Sequence, residues 1–118
     1  MSTDRKTEWP NPTIDQAISA GMALATYYGR TFGKIDTGEQ EEYQPITDQE
    51  AEQRLLNLAD GIMNGEVTSH RDVARVIQSL GMLMGPMGSA STEIDLAAFR
   101  VSHAILQKQT SFSDYTPA

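Results

Sequence analysis

The sequence predicts an all-α protein, a small single-domain bundle of about four helices over approximately 13–30, 48–64, 70–84 and 92–108. Three observations carry that expectation. Apolar residues recur at the spacing of one helical face, hydroxyl residues with an acid or amide three positions on mark helix starts, and no segment alternates as a half-buried strand does. A chain of 118 residues is one domain in length, and folding can bury roughly two thirds of its unfolded surface. The helical domain is expected over 13–109, between an irregular N-terminal arm, 1–12, and an irregular C-terminal tail, 110–118.

The arm, MSTDRKTEWPNP, is polar and broken by Pro10 and Pro12, so its one large apolar residue, Trp9, needs a place to dock. Thr13 with Gln16 reads as a capping box, and Ile14, Ala17, Ile18, Gly21, Leu24, Ala25 and Tyr28 follow as one face of the first helix. Gly29 and Gly33 are its expected stop. The stretch 33–46, with glycines, an acidic cluster and Pro45, has no periodicity and is expected to be the longest loop.

Thr47 with Glu50 repeats the capping box, and Ala51, Leu55, Leu58, Ala59 and Ile62 form the stripe of the second helix. Asn64-Gly65 closes it as a left-handed cap, while Gly61 weakens its last turn. Ser69 with Asp72 starts the third helix, whose stripe is Val73, Val76, Ile77, Leu80 and Leu83. Gly81, Gly85, Pro86 and Gly88 then interrupt the chain in a segment that also carries Met82, Met84 and Met87. Ser91 or Thr92 caps the fourth helix, which has two apolar faces, one of Ile94, Ala97, Val101 and Ile105 and one of Leu96, Phe99, His103 and Leu106. A helix with two such faces is buried on more than one side.

Composition excludes several chemistries. No cysteine means no disulfides, no thiolate nucleophile and no cysteine-ligated zinc or iron-sulfur site. A net charge of -7 disfavours non-specific attraction to phosphate backbones and anionic membranes. The uncharged stretch 16–29 resembles the core of a secretory signal, but Asp4 and Glu8 offset Arg5 and Lys6 ahead of it, and it is short of the roughly 20 apolar residues of a membrane span. A cytoplasmic protein is expected, with no membrane contact.

No catalytic, cofactor-binding or metal site can be composed. The two histidines have no partner at ligand spacing: His70 is expected as a solvated first-turn side chain, and His103 as a partly buried one bonded to a neighbour. Gly29 to Lys34 approaches a phosphate-binding loop, but it has three residues between its glycines instead of four and trails a helix. Eight acidic residues between Asp36 and Asp60 face only Arg54 and form a solvated acidic face with no calcium-loop pattern. No nucleophile, base and orienting group occur together, so an enzyme is not expected, and no cofactor or small-molecule substrate is evident.

What remains is protein recognition. The soft methionines Met82, Met84 and Met87, the second face of the last helix with Leu96, Phe99 and Leu106, and the acidic Glu39, Glu41, Glu42 and Glu50 are the expected protein-binding residues. Ala17, Gly21 and Ala25 would also allow another helix to approach closely. Together they suggest a small acidic adaptor, assembly component or inhibitor, self-associating or in a hetero-complex. The alternative is a dimeric helix-turn-helix regulator reading DNA with the third helix through His70, Arg71 and Arg75, for which the acidic charge is a handicap.

Overall fold

A computed structural model describes residues 9–32, 47–80 and 92–115. Within them the chain forms α1 (Ile14–Phe32), α2 (Asp48–Met63), α3 (His70–Ser79) and α4 (Thr92–Lys108), followed by a 3₁₀ turn at Gln109–Ser111. This is the all-α, four-helix architecture the sequence predicts. Three helix starts use the hydroxyl caps read from the sequence. Thr13 and Gln16 make a reciprocal box, each backbone amide donating to the other's side chain, at 2.9 and 3.1 Å. The Glu50 amide donates to Thr47 Oγ1 at 3.0 Å, and the Asp72 amide to Ser69 Oγ at 3.1 Å.

The end of α2 is equally specific. Gly65 has φ +81°, its amide donates to the Ile62 carbonyl at 3.2 Å, and the Glu66 amide donates to the Gly61 carbonyl at 2.8 Å. Those two bonds are the Schellman closure, which needs a left-handed residue where Gly65 stands. Gly61, expected only to weaken the last turn, has a packing reason: a Cβ there would lie 3.1 Å from Val67 Cγ2. The chain folds back over the helix end at that point.

α4 packs most extensively against α2 and then against α1, while α3 closes the side between α1 and α2. Among the described residues, Tyr28, Leu55, Ile62, Val73, Leu80, Ile94 and Val101 are the largest fully buried side chains. Ala51 and Ala59 on α2 and Ala97, Ala98 and Ala104 on α4 are buried as well, and so little side chain between two helices lets their backbones come close. Ala17 and Gly21 are buried within the bundle, so the small-residue face of α1 serves the chain's own packing and is not open to another helix.

Two boundaries differ from expectation. α1 runs through Gly29 to Phe32, because one glycine costs a helix only about 1 kcal/mol, and Tyr28 beside it is anchored in the core. α3 ends at Ser79 with Leu80 as its cap instead of reaching 84; Leu80 is buried there, and 81–91 lie outside the described residues, as does the expected loop 33–46. Beyond α4, described residues of the C-terminal segment pack on the core: after the 3₁₀ turn Phe112 is 5% exposed, and the Ser113 amide donates to the Thr68 carbonyl at 2.8 Å. Among the described residues no helix is long and apolar enough to cross a membrane.

Candidate functional site

The helical period puts Leu96, Phe99, His103 and Leu106 of α4 opposite its buried row of Ile94, Ala97, Val101 and Ile105. Residues 9–12 dock on this outer face. The Trp9 indole meets the His103 ring edge-on, with centroids 5.6 Å apart and planes at 67°, and the Arg100 guanidinium carbon stands 5.2 Å from the indole centroid. Pro10, Asn11 and Pro12 continue along Phe99 to the first turns of α1, lining with Asp15, Gln16 and Ser19 an open depression of about 600 Å³. Trp9 is half-buried, so the tryptophan left without a place in the sequence is held on the face that had apolar surface to spare. At the two ends of that face Leu96 is 38% and Leu106 70% exposed.

A second cluster lies inside. The Tyr28 hydroxyl and His70 Nδ1 share a hydrogen bond of 2.8 Å, and Phe112 packs edge-on against the His70 ring at 4.8 Å. His70 is 8% exposed, which corrects the expectation of a solvated side chain. Burial, reinforced by Tyr27 and Asp114, pushes the Tyr28 phenol well above its ordinary range, so it stays neutral. The Asp114 carboxylate caps the same corner, accepting the His70 amide at 2.7 Å and the Arg71 amide at 3.2 Å. A phenol held neutral is the opposite of an activated nucleophile or base, and the cluster reads as a structural lock.

That lock bears on DNA reading. His70 faces inward, and the helix-start amides that would meet a phosphate already bind a carboxylate. Of the expected nucleic-acid residues, Arg71 and Arg75 are exposed on α3. Of the expected protein-binding residues, α4 brings Leu96, Phe99 and Leu106 onto one face, whereas Glu50 is on the first turn of α2, paired with Arg54 at 3.1 Å. Met82, Met84, Met87, Glu39, Glu41 and Glu42 lie outside the described residues. Among the described residues no group of three or more histidine, cysteine or acidic side chains is placed to hold a metal.

Compared with family models, with curated proteins and with solved structures, the chain has no match. Sequence reasoning missed the partners of Trp9 and the capping role of Asp114. The first had a signal, an isolated tryptophan and a helix with a surplus apolar face; the second had none, since Asp114 and His70 are 44 positions apart.

Proposed function

We propose that the protein is a small acidic protein-binding module, an adaptor, assembly component or inhibitor of the cytoplasm, that works by association and not by catalysis. The observation that carries this reading is the outer face of α4, where Leu96 and Leu106 stay exposed on either side of Phe99 and His103. A single exposed leucine is ordinary, but several apolar groups on one helical face form a patch of the kind that partners cover. Ile14 and Met22 of α1 are exposed as well. The net charge of -7 favours a basic partner and speeds encounter with it, and Glu39, Glu41, Glu42 and Glu50 supply part of that field. Met82, Met84 and Met87 belong to the same reading by their chemistry, as adaptable apolar groups. Self-association through the same face is a form of this function.

Capture from lysate of the source cell, with and without nuclease, tests it when the native chain is compared with Leu106→Asp. Leu106 is 70% exposed, so the substitution leaves the fold intact and places a charge on the face. The expected result is a protein partner, or a second copy of the chain, that survives nuclease and is reduced about tenfold or more in the variant. Recovery of nucleic acid alone, or the same partners at the same yield in both chains, overturns the reading.

A further inference from the structure

We propose that the outer face of α4 recognises a tryptophan on an extended, proline-flanked segment of the partner, and that the chain's own Trp9 is the resident occupant such a segment displaces. The proposal rests on the binding-module reading above and names the ligand chemistry of that face. Trp9 is the only tryptophan in the sequence, and it meets two α4 side chains one turn apart, edge-on with the His103 imidazole and face-on with the Arg100 guanidinium. A guanidinium over a ring face selects electron-rich aromatics, and tryptophan is the best of them. The face is therefore selective for the kind of ring it holds, not merely apolar.

The occupant is also suited to being replaced. Trp9 is joined to α1 by Pro10-Asn11-Pro12, which form no helix or strand, and the two prolines favour an extended path. A ring tethered this closely has an effective concentration on the order of millimolar at its site, so contacts that give a free peptide only modest affinity still keep the face covered. Residues that only half-bury the ring leave it accessible to exchange. Beside it, the open depression of about 600 Å³ between Pro10, Pro12, Gln16 and Phe99 offers room for residues that flank an incoming ring. Leu96 and Leu106, exposed at the two ends of the face, provide apolar contacts for the residues around an incoming ring. A partner carrying the same aromatic plus apolar neighbours would thus gain over the tethered Trp9, and the arm would act as a strap against weaker ligands.

The test uses the full chain and a dye-labelled peptide with the sequence of residues 6–13, KTEWPNPT, followed by anisotropy. The peptide is expected to bind the Trp9→Ala chain saturably and the native chain about tenfold more weakly, because there the tethered ring competes. A peptide with alanine in place of its tryptophan should not bind, and Arg100→Gln in the Trp9→Ala chain should weaken binding about fivefold or more. Equal affinity for the native and Trp9→Ala chains, or no binding to a Trp9→Ala chain with native helicity, overturns the proposal. If Trp9→Ala does not fold, Arg100→Gln in the native chain decides, since Arg100 is exposed: a red shift of the single tryptophan's emission supports the docked ring, and unchanged emission sinks it. Failure here with Leu106→Asp still abolishing capture would leave the binding module standing and remove only this ligand.

Discussion

Tyr28 shows how one residue can set both the stability and the pH limit of this chain. It is 1% exposed, its hydroxyl shares a bond with His70, and burial holds its phenol neutral. Tyr28→Phe keeps the ring and removes the partner of His70 Nδ1, which should cost about 1–2 kcal/mol at neutral pH in a urea titration. The sign of the pH effect follows from the raised pKa. In the unfolded chain the phenol loses its proton near pH 10, while in the folded chain it keeps it, so the unfolded state binds fewer protons and stability falls as the solution becomes more alkaline. That loss should reach about 1.4 kcal/mol between pH 9 and 11 and be absent from Tyr28→Phe, narrowing the gap between the two proteins. Parallel stability curves over that range would show that Tyr28 ionises as readily folded as unfolded. Sequence periodicity placed Tyr28 on the core face of α1, but nothing in it pointed to His70, which lies 42 positions away.

At the scale of elements, α3 is the clearest case of a helix whose definition comes from elsewhere in the chain. It has ten residues, short of the roughly 12–15 at which an isolated helix becomes even marginal in water, so it relies on its ends and its packing. Ser69 caps the Asp72 amide, and Asp114 takes the His70 and Arg71 amides that this cap leaves free. Asp114→Ala should therefore destabilise the protein by about 1 kcal/mol and speed amide hydrogen exchange selectively in the first turn of α3. Exchange quickened evenly along α1, α2 and α4 as well would mean that Asp114 acts on the whole fold and not as a cap. The three caps at Thr13, Thr47 and Ser69 were legible because each is written within four residues, as was the glycine at the end of α2. The end of α3 was not, because Leu80 fits the helical stripe as well as it fits a buried cap.

For the whole molecule, the decisive feature is that the described segments flanking the helices on either side are fastened to the bundle. Trp9 holds the N-terminal side against α4, and Phe112 enters the core beside His70 while Asp114 caps α3. The pattern of polar residues with one isolated aromatic reads as an arm in a sequence, since periodicity needs several turns to register and a single anchor supplies none. The four-helix class was recoverable from local pattern, but the closure of the fold was not, because its contacts join residues far apart in the chain. A shorter domain ending at Gln109 tests that closure. It retains α1 to α4 and loses Phe112 and Asp114, which contribute about 3–5 kcal/mol for the buried ring and about 1 kcal/mol for the cap. Because both groups meet His70, their effects should couple instead of adding cleanly. A loss of about 4 kcal/mol removes much of the stability of an ordinary small domain, so the shortened chain should unfold at a far lower urea concentration and gradually, with its helices forming a less cooperative core. An unfolding midpoint equal to that of the full chain would mean that the helices alone complete the core and that the C-terminal anchor is incidental.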